Sequence, residues 1–471
     1  MTQPPPPVGP DAHDPPPDAE PPASPTPPPT LRIAAAISAH ASPVHAAEEV
    51  AVRCRAALAG AQPDLVLIFL TAQHADPTTA RAVSTVIRRR LGPRCLLGVS
   101  GESIVGGETE LEGAAGVSLW AATLPGVKVH PFKLEDVPIV RDPGPEELAA
   151  VAAAMGMTAD DGLPHRATFL FVDPFSVAIN AVLPTLAAAR PRDESGAAAP
   201  ILGGMASASA RPGGNVLLYK NEVLTRGAVG VSLRGNIRVD ALVSQGCRPF
   251  GPTAVVTGAK NQLIKTLGGR PAMQVLHEAL ERLDENSRKL LHRGLFLGRV
   301  VNEYKDRFGR GDYLIRSVVG VDQDSGAIAV ADLMRVGQTV RFHLRDAATA
   351  DEDLALLLDA QRLYDPPAGA LLFTCNARGQ RLFDKPHHDA TAIARAFAGR
   401  LAAEEKARAG TPLAPVGVAG KGAAAPPLPL AGFFAAGEIG PVGDGVFLHG
   451  HTACAALFRE VGSEPDPADP L

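Results

Sequence analysis

Apolar and polar positions alternate along the chain in a pattern that occurs about three times. The first copy opens on the unbroken apolar run Leu65-Val66-Leu67-Ile68-Phe69-Leu70, which predicts a buried strand. A helix is predicted to follow, with Asp76 as N-cap, Pro77 at its first position and a stripe of Val83, Val86, Ile87 and Leu91 at helical spacing. Leu96-Leu97-Gly98-Val99-Ser100-Gly101 then reads as a strand running into a Gly/Ser turn, and Gly116-Val117-Ser118-Leu119-Trp120 as a further strand.

The second copy begins with Thr168-Phe169-Leu170-Phe171-Val172, continues with a helix from about 177 to 190 bent near Pro184, and reaches Ile201-Leu202-Gly203-Gly204-Met205-Ala206-Ser207. It closes on Gly227-Ala228-Val229-Gly230-Val231-Ser232-Leu233, whose Gly-Val-Ser-Leu echoes residues 116–119. The third copy is looser. It holds Leu371-Leu372-Phe373-Thr374-Cys375, a helix near 389–403, a long Gly/Ala/Pro-rich loop, Ala431-Gly432-Phe433-Phe434-Ala435-Ala436-Gly437 and a last strand Val446-Phe447-Leu448-His449-Gly450.

The unit therefore reads strand–helix–strand–strand. That pattern predicts an α/β fold of α+β character, with mixed sheets covered by helices, in two tandem domains. A further α/β stretch separates copies two and three. Its helix carries Met273, Leu276, Leu280 and Leu283, and its strands include 313–319, 327–330 and 339–344, with a turn at Asp324-Ser325-Gly326.

Composition changes the picture mainly at the ends. Residues 1–30 hold fourteen prolines and no Lys or Arg, which predicts a disordered, partly polyproline tail. That tail carries Asp11, Asp14, Asp18 and Glu20, and the last nine residues add Glu464, Asp466 and Asp469. The formal charge of −5 thus belongs to the tails, and the body between them is nearly neutral. A nearly neutral body offers no electrostatic footprint for nucleic acid. The run Arg88-Arg89-Arg90 ends a predicted helix, where it suits the negative end of the dipole. Mean hydropathy is only +0.07, and no apolar run approaches the ~20 residues that span a bilayer. A signal-peptide pattern is missing too, so the expected location is the cytoplasm, with no membrane partner. Five widely spaced cysteines without a CxxC argue against a disulfide framework or structural zinc.

Two groups of residues could carry chemistry. The Gly-rich turns expose backbone N–H groups that can receive an anion, with Ser100, Gly101, Glu102, Gly203, Gly204 and Ser207 as candidate ligand contacts. The bland alternative is that these glycines serve tight turns and close sheet packing. The second group is denser: Cys375-Asn376-Ala377-Arg378, Gly437-Glu438 and His449-Gly450-His451 all follow strands that the repeat would place side by side. On a single strand, His449 and His451 would share a face. As a ligand pocket, Arg378 would take a carboxylate and Glu438 an ammonium. As a nucleophilic apparatus, Cys375 would need a nearby imidazole and oxyanion donors. As structure alone, Arg378 and Glu438 would pair and hold the loops. Metal binding by His449 and His451, or by His387-His388-Asp389, is the weakest reading, because Asp389 suits a helix N-cap. No cofactor is predicted; haem would be the exception, and no CxxCH supports it.

Several long segments also resemble the FIST family. The C-terminal half carries Gly311-Asp312-Tyr313-Leu314-Ile315-Arg316, Gly337-Gln338-Thr339-Val340-Arg341-Phe342, Cys375-Asn376-Ala377-Arg378-Gly379 and Gly432-Phe433-Phe434-Ala435-Ala436-Gly437-Glu438-Ile439-Gly440-Pro441, similar to the FIST C-terminal domain. Leu97-Gly98-Val99-Ser100-Gly101-Glu102-Ser103 through Leu119 resembles the N-terminal domain. The resemblance implies a FIST N-terminal domain over 31–245 and a C-terminal one over 246–462 with a flexible loop at 404–429, flanked by disordered tails 1–30 and 463–471. It also implies a sensory protein that binds a small ligand, an amino acid or related metabolite; any signal would then go through a partner in trans or a ligand-dependent oligomer. Some members of the family are described as haem-binding nitric-oxide sensors, and a eukaryotic branch carries an F-box. This chain has a Pro-rich tail where an F-box could sit.

Overall fold

In the computed structural model the repeated apolar pattern becomes three interlocked six-stranded sheets. The structure describes residues 30–322, 324–401 and 427–462; the predicted tails 1–30 (but for Thr30) and 463–471, and the loop 404–429 up to residue 426, lie outside the described residues.

Copy one comprises β1 (Arg32–Ser38), α1 (Pro43–Ala57), β2 (Leu65–Thr71), α2 (Pro77–Leu91), β3 (Cys95–Gly101), a hairpin of β4 (Ile104–Gly106) and β5 (Thr109–Leu111), and β6 (Val117–Thr123). Copy two repeats the order with β7 (Val127–Lys133), α3 (Pro145–Ala154), β8 (His165–Val172), α4 (Ile179–Ala188), β9 (Ile201–Met205), the hairpin β10 (Leu217–Tyr219) and β11 (Glu222–Leu224), and β12 (Ala228–Gly235).

Copy three starts at β13 (Arg238–Gln245) and is interrupted by an inserted sheet. The insertion comprises β14 (Cys247–Lys260), β15 (Leu263–Leu267), β16 (Arg270–Pro271), α5 (Ala272–Glu281), α6 (Glu285–Lys289), β17 (Leu295–Val300), β18 (Tyr313–Asp322), β19 (Ala327–Val330) and β20 (Thr339–Arg345). The copy resumes with α7 (Ala347–Gln361), β21 (Gly369–Cys375), α8 (His388–Arg395), β22 (Leu430–Ala435), the hairpin β23 (Glu438–Val442) and β24 (Gly445–His449), and β25 (Thr452–Arg459). The fold is thus α/β with mixed sheets, and its two tandem domains are joined by shared sheets.

The strand orders show how the sharing works. They are β1-β6-β2-β3-β10-β11, β7-β12-β8-β9-β23-β24 and β13-β25-β21-β22-β4-β5. In each sheet the first four strands come from one copy and the last two are a hairpin from another. Copy one lends its hairpin to the sheet of copy three, three lends to two, and two lends to one, so the exchange closes on itself.

Each sheet has two apolar faces. The outer faces pack on their own helices, as Val66, Ile68 and Leu70 do with Val83 and Ile87. The inner faces meet in one common core. Phe69, Phe171 and Phe373 occupy the same place in the central strand of the three copies. Phe171 touches both others edge-on, with ring centroids 6.0 and 5.8 Å away, and Phe433 stacks on Phe69 at 5.7 Å. Burying side chains of this size contributes ~1.5–3 kcal/mol each.

The N-cap at Asp76 is confirmed, its carboxylate accepting from the Thr78 and Thr79 amides. The Gly-Val-Ser-Leu echo is corrected. Phe69 pairs with Ser118, whereas its counterpart Phe171 pairs with Val229, so the echo is out of register by three positions. As a result Leu119 faces the helices and Leu233 faces the common core. The repeat is real, but these four letters do not mark it.

A better marker is the glycine one step before the inner position of each second strand: Gly98, Gly203 and Gly432. A Cβ there would lie 2.6, 2.0 and 1.8 Å from the carbonyl oxygens of Ile68, Leu170 and Leu372. The two parallel strands approach too closely for any side chain. Gly432→Ala is therefore expected to destabilise by ~1–3 kcal/mol or more through overpacking. Gly450→Ala, in open space, should change little. Urea denaturation of the two variants checks this; equal midpoints would refute the close-packing account.

Candidate functional site

The pseudo-repeat supplies an internal comparison, because three equivalent strand ends can be set side by side. Each central strand ends where the amide that enters the closing strand needs an acceptor. In copy one that amide is Gly116, and it donates to Thr71 Oγ1 at 2.8 Å. In copy two Gly227 donates to Ser176 Oγ at 2.8 Å. In copy three Thr452 donates to a carboxylate, Glu438 Oε2, at 3.0 Å, and its hydroxyl donates to the same oxygen at 2.7 Å. His74, Ser176 and Arg378 stand three residues beyond Thr71, Asp173 and Cys375. Only the third copy thus places a buried guanidinium and a buried carboxylate at its strand end.

Arg378 and Glu438 are both fully buried, but they do not pair with each other. Arg378 grips Asp389 through two bonds, Nε to Oδ2 at 2.7 Å and Nη2 to Oδ1 at 2.8 Å. Thr374 Oγ1 donates to Asp389 Oδ2 at 3.0 Å, and His388 Nδ1 lies 3.0 Å from Oδ1. Burial alone would raise the Asp389 carboxyl; Arg378 and His388 outweigh it and hold it well below the usual carboxylate range. The expectation that Asp389 is an N-cap is therefore corrected. His387 takes that position at φ +63°, and Asp389 turns inward to balance Arg378. The structural alternative of an Arg378–Glu438 pair is replaced by the same finding. The metal reading of His387-His388-Asp389 also lapses, since His387 Nδ1 accepts the Glu110 amide at 3.0 Å.

Glu438 lies against the Cys375 thiol. Burial pushes its carboxyl up to about 7, against the two bonds from Thr452. Glu110, brought in by the β4–β5 hairpin, is also raised to about 7, first by burial and then by the charge of Asp389. One of its oxygens accepts the Ala390 amide at 3.0 Å. Burial, reinforced by Glu438, pushes the Cys375 thiol up to about 12. A thiolate nucleophile needs the opposite shift, so this geometry lends the nucleophilic reading no support.

His449 and His451 are not on one strand. His449 ends β24 with Nε2 3.1 Å from the Gly440 carbonyl, whereas His451 occupies the following turn at φ +66°. The ring of His451 meets Phe296 of the inserted sheet edge-on at 4.6 Å. Burial lowers both imidazoles to about 4, which leaves them neutral.

Among the described residues, eleven buried side-chain polar atoms have no hydrogen-bond partner. Six belong to this one region: Glu110 Oε2, Arg345 Nε, Asn376 Oδ1, Arg378 Nη1, Glu438 Oε1 and His451 Nδ1. The fields of Arg345 and Arg378 reach Cys375, Cys247 and His451. Such atoms are costly when buried, at ~1–3 kcal/mol each. Glu110 and Arg345 were missed in the sequence. Glu110 stands in the alternating run Glu108-Thr109-Glu110-Leu111-Glu112 and Arg345 ends an alternating strand, so both look like ordinary strand positions until the topology brings them here.

The Gly-rich turns meet elsewhere, where the three copies converge. Ser207 N donates to Ser100 O at 3.1 Å, Phe434 N to Ser103 O at 2.9 Å and Met205 N to Gly437 O at 2.8 Å. Ser207 Oγ receives the Glu102 amide at 2.8 Å, and Ser100 Oγ receives the Val216 amide at 2.9 Å. The Glu102 carboxylate pairs with Arg381. A Cβ on Gly101 or Gly204 would lie 2.7 Å from Ser103 O or 2.8 Å from the Ala435 methyl. These amides and glycines therefore bind the copies to one another, and the anion-cradle expectation for Ser100, Gly101, Glu102, Gly203, Gly204 and Ser207 gives way to close packing; Gly437, expected beside Glu438 in the C-terminal group, joins the same seam through its carbonyl.

Fold and site together define a mixed α/β protein in which one strand end of three is loaded with buried, incompletely matched polar groups. The chain belongs to the FIST family: the FIST N domain matches residues 64–270 and the FIST C domain residues 272–403. FIST domains are sensory domains that bind small ligands. Uncharacterized protein Rv0628c of Mycobacterium tuberculosis is 36% identical over 430 residues, covering 91% of this chain and 100% of that protein. Uncharacterized protein Mb0898c of Mycobacterium bovis is 35% identical over 430 residues, covering 91% and 99%. Among the described residues no helix is long and apolar enough to cross a membrane.

The Arg378–Asp389 pair should dominate local stability. Arg378→Ala or Asp389→Ala alone is expected to cost ~3–5 kcal/mol by stranding the other charge, and the double variant should cost less than the two added. A double-mutant cycle in urea measures this; strict additivity would mean that the two groups do not interact.

Proposed function

We propose that this protein is a stand-alone, cytoplasmic sensory protein whose small ligand, an amino acid or related zwitterionic metabolite, is held by the polar cluster at the end of β21. The observation that carries the reading is the gathering of six unpartnered buried polar atoms at one strand end, where the two sister copies have a histidine or a serine in place of Arg378. The chemistry matches a zwitterion. Arg378 Nη1 and Arg345 Nε offer donors to a carboxylate, and Glu438 Oε1 and Glu110 Oε2 offer acceptors to an ammonium. Family membership supports the sensory role. Binding needs the cover over the cluster to open, and Phe296 of the inserted sheet, resting on His451, is part of that cover. The opening motion would give a signalling partner in trans something to read.

A thermal-shift screen of amino acids and small metabolites tests this. A ligand present at ~100 times its Kd should add ~2.7 kcal/mol of stability. Arg378→Ala lowers basal stability, so the informative variant is Glu438→Gln, which keeps the Thr452 acceptor. It should weaken an ammonium-bearing ligand while leaving the fold intact. If no zwitterion stabilises the protein, or Glu438→Gln binds as tightly, the reading fails.

The raised Glu438 carboxyl also sets a pH dependence. Its folded value of about 7 lies above the ordinary 4.5, so the folded state holds the proton more tightly. That contribution is present below the ordinary value and is lost as pH rises towards 7. Apo melting temperature should therefore fall between about pH 4.5 and 7 by more in the parent than in Glu438→Gln, while affinity for an ammonium ligand rises over the same window. Melting curves across that range check the sign; parallel curves for the two proteins would contradict it.

A further inference from the structure

A separate opening lies between α4, the inserted sheet and the β23–β24 hairpin. It encloses about 610 Å³, within the ~300–1,000 Å³ typical of small-molecule sites. Its walls are mostly apolar, with Leu183 from α4, Leu314 from β18, and Val446 and Leu448 from β24. One wall is charged. Arg299 Nε and Arg316 Nε each lie 3.3 Å from the same atom, Asp332 Oδ2. The Arg316 side chain is only 13% exposed, and its desolvation is opposed mainly by Asp332. Asp332 is the single acid among the residues lining the opening, and the other polar ones, Asn180 and Gln262, are neutral. Two guanidiniums thus share one carboxylate inside an apolar cleft, leaving one positive charge without a counter-charge. A half-buried cation in that position favours an anion, and the guanidinium fork suits a planar carboxylate.

We propose that this cleft binds a monocarboxylate with an apolar body, separately from the polar cluster. A single negative charge balances the local excess, and the aliphatic walls supply the remaining contact. A neutral isostere would leave the excess charge in place, so the site should discriminate by charge more than by shape.

Isothermal titration of the full chain with octanoate and with octanamide tests the proposal. Octanoate should bind, and octanamide should bind at least about tenfold more weakly, as for a lost charged hydrogen bond. Arg316→Met and Arg299→Met should each weaken octanoate by a similar factor. Leu333 sits on the rim and is 67% exposed, so Leu333→Asp should repel the anion with the melting temperature unchanged. This last variant keeps the test decisive if an arginine variant folds poorly. No binding of octanoate by the parent, equal binding of the amide, or undiminished binding in the folded cleft variants would overturn the proposal.

Discussion

The meeting of three sheets on one aromatic cluster is the constraint from which the rest of the structure follows. Phe69, Phe171 and Phe373 lie on the inner faces of three different sheets, and Phe433 fills the space beside them. A sheet that buries its inner face on that cluster must cover its outer face with its own helices, which explains why the central strands are apolar on both sides. The same constraint brings the second and central strands so close that Gly98, Gly203 and Gly432 cannot carry a side chain.

Shared architecture makes the differences between the copies informative. The closing-strand amide is satisfied by a hydroxyl in two copies and by the Glu438 carboxylate in the third. Packing requires only an acceptor at that point, so a buried acid there exceeds what the fold needs. The same holds for Arg378, whose counterparts are a histidine and a serine. Its charge is matched by Asp389, yet Nη1 stays unpaired. Polarity beyond structural need is a physical reason to look for a ligand.

Much of the fold was legible because apolar runs and caps are local. The central strands, the helix begun by Asp76 and the glycine-rich strand ends could all be read directly. The leading edge strands were harder: β7 alternates the half-buried Val127, Val129 and Pro131 with exposed Lys128 and His130, and no long apolar run announces it. The site was legible in part. Cys375, Asn376, Arg378, Glu438 and His451 do gather, but the partner of Arg378 is Asp389, which the helix-start pattern disguised as a cap. Glu110 could not be placed at all, since hairpin exchange and not sequence proximity delivers it.

The circular lending of hairpins also bears on how the chain is made. Strand β4 pairs with β22, and Glu110 accepts the amide of Ala390, 280 residues later. During synthesis the first copy therefore leaves the ribosome with a hairpin that has nowhere to dock and with an open edge on β3, which waits for β10. Pairings of such long separation are slow to form, and waiting edges invite association with other chains. The acidic residues Glu102, Glu108, Glu110 and Glu112 flank and stud that hairpin. They later meet Arg381, Arg395 and backbone amides of the third copy. Until then their mutual repulsion gives the nascent hairpin a charge that discourages edge-to-edge pairing.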